Sequence, residues 1–288
     1  MGFILLFFKK YVIILEMKLG IVGNGYVGQA TSLLEGENVE VLIWDTDETK
    51  RNIDKFEDLS GCDLVFVCVP TPMNSDGSCY IKIVESVVSD LINLGVHARD
   101  IVVRSTVPVG TCEKLGVSFM PEFLTEANWR QDFENNENWI FGFDPTENKS
   151  STDSKFHHLG SLYNKNVVIL KTKEAELVKY TRNVFLATKV SFFNEIEQFC
   201  GSLGISYDNV RDGVCLDGRI GFSHTDVPGP DGRKGYGGTC FPKDVSSLLY
   251  QIVDKDVVSY IVYATRARNL EKDRPEKDWE NDKGRAVV

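Results

Sequence analysis

The stretch Lys18-Leu-Gly-Ile-Val-Gly-Asn-Gly-Tyr-Val-Gly28 decides the fold of the first half of the chain. An apolar strand-like segment runs into the pattern Gly23-x-Gly25-x-x-Gly28, and a helix is predicted over residues 29–35. The three glycines allow a tight turn, close approach of the backbone to a pyrophosphate, and close packing of the helix against the strand. The stretch therefore predicts a dinucleotide-binding unit with the phosphates at the N-terminus of the helix.

A second predicted strand, residues 39–44, ends at Asp45. This is the distance downstream of the glycines at which a carboxylate binds the ribose 2′-hydroxyl of a dinucleotide. A carboxylate there repels a 2′-phosphate, so the sequence predicts NAD rather than NADP as the cofactor.

Further strands are predicted at residues 63–69, 100–104 and, as the last of the domain, 140–143, with a helix over residues 81–94. The apolar run 63–69 is typical of a buried parallel strand. Open α/β sheets bind ligands at the carboxyl ends of their strands, where Thr71 and Thr106 lie. A helix-capping hydroxyl and a role in a site are equally compatible with the position of Thr106.

The second half changes character after a polar, turn-rich segment at residues 144–164. Residues 174–203 have the apolar spacing of one long helix, and residues 245–269 predict a further helix. The charged segment 271–285 surrounds the single Trp279 and is predicted to be exposed or loosely docked. The fold class is thus α/β, a doubly wound parallel sheet followed by a mostly helical domain.

Two helical residues, Lys179 and Asn183, lie one turn apart in a mostly apolar segment. A solvated lysine is the ordinary interpretation of such a position. The alternative is that the two side chains aim donors at one oxygen, as in an oxyanion site.

The stretch Gly235-Tyr-Gly-Gly-Thr-Cys-Phe-Pro-Lys-Asp244 contains the strongest candidate nucleophile, Cys240. Its glycines let the backbone bend tightly, and Lys243 and Asp244 place a cation and a carboxylate within a turn of the thiol. A thiol reacts as the thiolate, which neighbouring positive charge favours. The alternative is a small buried cysteine in a glycine turn.

The composition is that of an acidic globular protein. Of 288 residues, 42% are hydrophobic and 26% charged, and the formal net charge is −10. The charge argues against a general nucleic-acid or membrane-surface binder, so local basic groups would have to hold an anionic substrate. Seven scattered cysteines without a CxxC pair indicate reduced thiols in a cytoplasmic compartment, with neither disulfides nor a metal site.

The first sixteen residues are apolar but interrupted by Lys9 and Lys10. Both apolar runs are too short to span a bilayer. We expect residues 1–16 to be an N-terminal extension, with Met17 as the functional start, and a membrane-associating anchor is the alternative.

These motifs, in this order, resemble the UDP-glucose/GDP-mannose 6-dehydrogenase family. The resemblance runs from Lys18 to about Tyr250 and rests on GNGYVG, VPTP, STVPVGT, PEFLTE, AELVKYTRNVFLATKVSFFNE, RIG and GYGGTCFPKD. Three departures are Tyr80, Met120 and Gly218, where the family often has Asp, Asn and Pro. With the resemblance, the chain divides into a Rossmann-type NAD-binding domain (17–150), a helical central domain (165–270) and a charged tail (271–288).

Family members oxidise the C6 alcohol of a nucleotide sugar to a carboxylate with reduction of two NAD⁺. The resemblance implies that Cys240 forms a thiohemiacetal and then a thioester, while Lys179 and Asn183 stabilise oxyanions. It implies that water and protons are handled by Thr106, Glu122 and Asp244. The residues that match cofactor contacts are Gly23, Gly25, Tyr26, Val27, Gly28, Asp45, Lys50, Thr71 and Thr106. Those that match substrate contacts are Glu122, Phe123, Leu124, Glu126, Lys179, Asn183, Arg219, Tyr236 and Gly237.

The resemblance also implies a homodimer built on the helix 174–203, in which Arg219 reaches the neighbouring subunit's site. UDP-glucose is the expected substrate, with GDP-mannose or another UDP-sugar as alternatives. Family members usually continue into a third domain that clamps the nucleotide. We therefore expect this chain to hold the nucleotide differently, to bind it weakly, or to need a separate chain.

Two other functions share parts of this pattern. A non-catalytic NAD-binding scaffold subunit would bind NAD without turnover. A one-step dehydrogenase of the hydroxy-acid or imine-reductase type would share the first domain, but it does not explain a cysteine in a glycine-rich turn.

Overall fold

The computed structural model describes residues 17–143 and 151–288. The predictions for residues 1–16, and those for residues 144–150, lie outside this range. Within the described ranges, no helix combines the length and the apolar character that crossing a bilayer requires.

One sheet forms the centre of the first half of the molecule. Its strands are β1 (Met17–Val22), β2 (Val39–Trp44), β3 (Leu64–Val67), β4 (Ile101–Val103), β5 (Ser118–Phe119), β6 (Asn138–Gly142) and β7 (Asn166–Leu170). They lie in the order β2-β1-β3-β4-β5-β6-β7, and all neighbours are parallel except β5 and β6. The predicted α/β fold with a mostly parallel sheet is confirmed.

Both faces of the sheet are buried, which explains the continuous apolar strands. Along β3, Leu64 and Phe66 belong to one core cluster, while Val65 and Val67 belong to the cluster on the opposite face. Since side chains alternate along a strand, a strand covered on both faces must be apolar at every position.

Helices cover both faces and then build the second half. The helices are α1 (Tyr26–Ser32), α2 (Lys82–Asn93), α3 (Thr111–Leu115), α4 (Trp129–Asn135), α5 (Ser151–Leu162), α6 (Thr172–Leu203), α7 (Tyr207–Cys215), α8 (Phe241–Asp254) and α9 (Tyr260–Arg268). Helix α6 matches the helix predicted over residues 174–203 and begins two residues earlier. It packs against both α8 and α9, with Val184, Ala187 and Val245 in their shared core.

Several local predictions are wrong. Residues 140–143 are not the last strand, because β7 lies beyond them in the same sheet, and α5 occupies most of the segment predicted to be turns. Helix α1 begins at Tyr26 rather than at residue 29, with Gly25 as its N-cap. The single helix predicted over residues 245–269 is two helices, because the chain turns at residues 255–259 with Asp256 at a positive φ of 55°.

The prediction of a loosely docked tail is also wrong. Arg274 is completely buried, Trp279 is 4% exposed, and Ala286 is 1% exposed. At the end of the tail, Met73 donates its N–H to the carbonyl of Ala286 (2.9 Å), and Val288 donates to the carbonyl of Met73 (3.1 Å). Residues 271–288, the C-terminal tail, therefore pass over the helical half and finish against the loop that follows β3.

Candidate active site

A cavity of about 870 Å³ opens at the carboxyl ends of β1, β3 and β4. Its wall brings together the glycine turn after β1, the end of β2, the segments around Thr71 and Thr106, and the N-terminus of α8. The predicted site residues on this wall are Gly23, Gly25, Tyr26, Val27, Asp45, Lys50, Thr71, Thr106, Glu122, Glu126 and Cys240. Since this edge of a parallel sheet is where ligands bind, the cavity is the candidate active site.

The glycine turn has a separate physical requirement at each glycine. Gly23 has φ of +92°, and a methyl group at this position would lie 2.7 Å from the carbonyl oxygen of Cys68. A methyl group at Gly28 would lie 2.0 Å from the carbonyl oxygen of Gly23, so this position is closed by packing. At Gly25 no other atom lies within 4 Å of such a methyl group, which leaves space for a pyrophosphate at the start of α1.

The carboxylate of Asp45 lies at the rim of the cavity, fixed by two backbone donors. The N–H of Asn24 donates to one oxygen (2.6 Å) and the N–H of Asp47 to the other (2.9 Å). Lys50 lines the same wall and pairs with Asp47 at 3.2 Å. The open glycine turn and this fixed carboxylate fit the pyrophosphate and one ribose of NAD.

Cys240 lies at the N-cap of α8, with Pro242 in the first turn. The N-terminus of α8 carries the positive end of the helix dipole. The hydroxyl of Tyr26 lies 3.1 Å from the sulfur. Burial, and then the nearby Glu122 and Cys240, raise the pKa of Tyr26, so its hydroxyl stays protonated and can donate to the sulfur. Tyr26 thus contacts the predicted nucleophile, a contact that its place in the glycine motif did not predict.

Lys179 is buried, and its ammonium is bound by Glu122. Its Nζ donates to the Glu122 carboxylate at 2.5 Å and to the Glu122 carbonyl at 2.9 Å, and both side chains are 3% exposed. Burial alone would raise the pKa of Glu122, but Lys179 and the N–H of Leu124 lower it below its usual value. The pair is therefore ionic, and the interpretation of Lys179 as a solvated lysine is wrong.

Asn183 and Asp244 form a second buried group directly behind Cys240. The Asn183 amide donates to one carboxylate oxygen of Asp244 (2.6 Å), and Lys243 donates to the other (2.6 Å). Burial by itself would lower the pKa of Lys243, but Asp244 and Cys240 raise it above its usual value. A cation that lines the cavity thus stands next to the thiol, as the sequence predicted.

The comparisons with known proteins agree with this geometry. A family model described as the UDP-glucose/GDP-mannose dehydrogenase family, NAD binding domain, matches residues 50–166, and the model of that family's central domain matches residues 173–271. A UDP-glucose 6-dehydrogenase of Rickettsia bellii is 32% identical over 89% of this chain and 67% of its own length. The chain belongs to the UDP-glucose/GDP-mannose dehydrogenase family. NAD is accordingly the cofactor of its first domain.

Two further relatives illustrate the extent of the match. A UDP-glucose 6-dehydrogenase of Pseudomonas aeruginosa is 34% identical over 74% of this chain, which spans 49% of that protein. The structure of a UDP-glucose dehydrogenase from Pyrobaculum islandicum has a TM-score of 0.73 and 25% identity, covering 87% of this chain and 67% of that one. The chain thus spans about half to two thirds of the length of these family members.

Not all predicted substrate contacts reach the cavity. Lys179 and Asn183 lie one layer behind its wall, attached to Glu122 and Asp244. Arg219 is 90% exposed and pairs with Asp217 at 2.5 Å. Within the described part of the chain, the predicted substrate contacts that do not line the cavity are Phe123, Leu124, Lys179, Asn183, Arg219, Tyr236 and Gly237, and neither do the predicted cofactor contact Gly28 and the predicted catalytic Asp244.

The loop before Cys240 is fixed by two residues that the sequence analysis did not select. The Asn269 side chain accepts from the Tyr236 N–H (2.9 Å) and donates to the Tyr236 carbonyl (2.9 Å). The buried Arg274 donates to the carbonyl of Lys234 (3.1 Å), and its guanidinium fills the space where a side chain at Gly237 would stand. Gly237 is therefore required for the tail to dock, whatever its role towards a substrate.

Two arginines on the cavity wall were missed. Arg104 is 3% exposed at the end of β4, donates to the Thr31 hydroxyl (2.7 Å), and has its pKa lowered by burial. Its place immediately before Ser105 and Thr106 was the available signal. Arg285 reaches the wall from the C-terminal tail, and no motif in the sequence indicates this.

Proposed function

We propose that the chain oxidises the C6 alcohol of a nucleotide sugar, in the first place UDP-glucose, to the carboxylate with reduction of two NAD⁺. The observation that carries the proposal is the Cys240 thiol on the same cavity wall as the open phosphate turn at Gly25. A dehydrogenase that stopped at the aldehyde would need no nucleophile there. The names of the matching relatives support the choice of substrate.

The proposed chemistry balances with one thiol and one water. The C6 alcohol loses a hydride and a proton to give the aldehyde, and the Cys240 thiol adds to the aldehyde carbon as a thiohemiacetal. Loss of a second hydride and proton gives the thioester, and water then releases the carboxylate and the free thiol. NAD⁺ bound at the glycine turn supplies the hydride acceptor for both oxidations.

The proposal assigns a role to each polar group of the site. The protonated hydroxyl of Tyr26 holds the Cys240 sulfur by a hydrogen bond. The Lys179 ammonium and the Asn183 amide serve as donors to the oxygen of the tetrahedral intermediates. Because they are bonded here to Glu122 and Asp244 behind the wall, this role requires each donor to exchange that partner for the substrate oxygen. In this proposal Asp244, Glu122 and the hydroxyl of Thr106 move protons and orient the hydrolytic water.

The test is the number of NADH molecules formed per molecule of limiting UDP-glucose at saturating NAD⁺. We expect two for the wild-type protein. Cys240→Ser should stop the reaction before the acid and give no more than one. Cys215→Ser, which alters a buried thiol on α7 next to Thr225, is the matched control and should retain two.

Other outcomes separate the alternatives. One NADH per sugar from the wild type would indicate a one-step dehydrogenase and would contradict the cysteine mechanism. Binding of NADH without turnover of UDP-glucose, GDP-mannose or other nucleotide sugars would indicate the scaffold subunit. Unchanged formation of acid by Cys240→Ser would exclude the covalent pathway.

We further propose a homodimer through α6. Phe185, Phe192 and Phe199 are 66%, 56% and 58% exposed and follow one another at intervals of seven residues. Seven residues are two helical turns, so these rings share one face of α6. Exposed Tyr260 and Ile261 on α9 add to the apolar surface of this half. Such a row is typical of a helix that packs against a partner.

A further inference from the structure

The C-terminal tail brings a cation to the mouth of the candidate active site. Arg285 lines the same cavity as Gly25, Tyr26 and Cys240. Its guanidinium lies 2.5 Å from the carboxylate of Glu126, and burial does not isolate this pair, since the side chains are 49% and 50% exposed. The ion pair therefore faces water at the entrance to the cavity.

Arg285 is held there from both sides along the chain. Before it, Arg274 is completely buried and Trp279 is 4% exposed. After it, Ala286 and Val288 bond to the backbone of Met73. The residue is thus part of a docked segment and not of a free end, so its guanidinium is restricted to the cavity mouth.

The charges around the cavity indicate which ligand this cation serves. The protein carries a net charge of −10, and Glu126 on the wall would repel a diphosphate. Three other cations line the described part of the wall: Lys243 is bound to the buried Asp244, Lys50 pairs with Asp47, and Arg104 is 3% exposed and donates to the Thr31 hydroxyl. Arg285 pairs with the exposed Glu126, whose carboxylate can turn into water. A phosphate that replaces this carboxylate as the partner of Arg285 therefore leaves no buried charge unpaired.

We propose that Arg285 binds the diphosphate of a nucleotide ligand in this cavity and that Glu126 holds the guanidinium in place until the ligand arrives. The proposal rests on the proposed function, because the two ligands of that reaction, NAD⁺ and the nucleotide sugar, both carry a diphosphate. The planar guanidinium presents two parallel N–H donors that match two phosphate oxygens, whereas an ammonium acts as a point charge without this geometry. Nothing in the family motifs of this chain assigns a ligand to the tail.

The experiment is titration calorimetry of the full chain with UDP and, separately, with NADH. The variants are Arg285→Ala, Arg285→Lys, and Lys272→Ala as a matched control that removes one positive charge from an exposed residue of the same tail. Lys272 is not among the described residues that line the cavity. Thermal unfolding of each variant checks that the tail and the fold are retained.

We expect Arg285→Ala to lower the affinity for one of the two ligands about tenfold or more, since a charge-assisted hydrogen bond is lost. Arg285→Lys should recover part of that loss, and Lys272→Ala should change the affinity for neither ligand by more than about twofold. Weaker UDP binding assigns Arg285 to the nucleotide sugar, and weaker NADH binding assigns it to the cofactor.

Two results would overturn the assignment. One is unchanged binding of both ligands by Arg285→Ala. The other is an equal loss in Lys272→Ala, which would reduce the effect to the general charge of the tail. The wild-type titrations report separately on the proposed function: a wild type that binds NADH but no sugar nucleotide contradicts the proposed substrate, while the effect of Arg285→Ala on NADH still decides the role of Arg285.

Discussion

At the scale of single residues, the buried pair of Glu122 and Lys179 allows a prediction about stability and pH. Removing one partner leaves an uncompensated charge, so Glu122→Gln or Lys179→Met alone should lower the free energy of unfolding at pH 7 by about 3–5 kcal/mol. The double variant removes both charges and should be less destabilised than either single one. Urea denaturation of the four proteins measures this.

The pH dependence has a definite sign. The pKa of Glu122 lies below its ordinary value of 4.5 in the folded protein, despite burial, because Lys179 stabilises the carboxylate. The pair therefore contributes its full stability above pH 4.5, and this contribution is lost as the pH falls through the lower folded pKa. The difference in stability between the wild type and the double variant should shrink over that acidic range. A difference that stays constant would contradict an ionic pair.

Sequence reasoning predicted which residue types would form the site better than it predicted their contacts. Cys240, Lys243 and Asp244 are neighbours in the chain, so their proximity follows from local structure. The bond between Lys179 and Glu122 joins residues 57 apart in sequence, and Tyr26 and Cys240 are 214 apart. Contacts of this kind depend on how α6 and α8 pack onto the sheet, which no local pattern contains.

At the scale of elements, substitutions in the glycine turn before α1 distinguish effects on stability from effects on cofactor binding. Gly25→Ala has space for its methyl group and should change the free energy of unfolding by no more than about 1 kcal/mol. The same methyl group would stand where a pyrophosphate approaches. Overpacking costs about 1–3 kcal/mol, so NADH binding should weaken about 5- to 150-fold. Denaturation and calorimetry of the same sample give both quantities.

Gly28→Ala is the matched control in the same turn. Its methyl group would lie 2.0 Å from the Gly23 carbonyl oxygen, so this variant should lose about 1–3 kcal/mol of stability as well as binding. If Gly25→Ala bound NADH as tightly as the wild type, the pyrophosphate could not lie at this turn.

The elements that the sequence predicted well are those with a strong period or an uninterrupted apolar run. Strand β2 and helix α6 belong to this group. Helix α5 was missed because residues 151–162 mix polar and apolar positions. Strand β7 was missed although residues 167–170 are an apolar run, because it follows a polar segment that was interpreted as the edge of the domain and pairs with β6 across it. The break between α8 and α9 was missed because it contains neither Gly nor Pro, and Asp256 makes the turn instead.

At the scale of the whole molecule, the tail was the least predictable part. Its composition is typical of an exposed segment, yet Arg274 is buried beneath the loop that leads to Cys240. That burial depends on Gly237, about forty positions earlier, and on Asp231, which pairs with the guanidinium. The high charge content led to a prediction of exposure. That prediction failed because composition does not show which charged side chains have a partner and can therefore be buried.

The assembly provides the prediction at this scale. If α6 forms a homodimer through its row of phenylalanines, Phe192→Glu places a carboxylate in the centre of that face, where burial of an unpaired charge is unfavourable. Light scattering after size exclusion should give twice the mass of one chain for the wild type and the mass of one chain for Phe192→Glu.

Ile92→Glu is the matched control for this assembly. It changes another exposed apolar residue, 42% exposed on α2 of the first domain, and should remain dimeric. Wild-type protein that elutes with the mass of one chain at micromolar concentration would contradict the dimer. A further result would be that Phe192→Glu loses both the dimer and the formation of acid while it still binds NADH. This result would mean that the site needs a residue from the partner subunit. The exposed Arg219, 90% accessible and bound here to Asp217, is the residue we would substitute next, since its loss should then reduce turnover without dissociating the dimer.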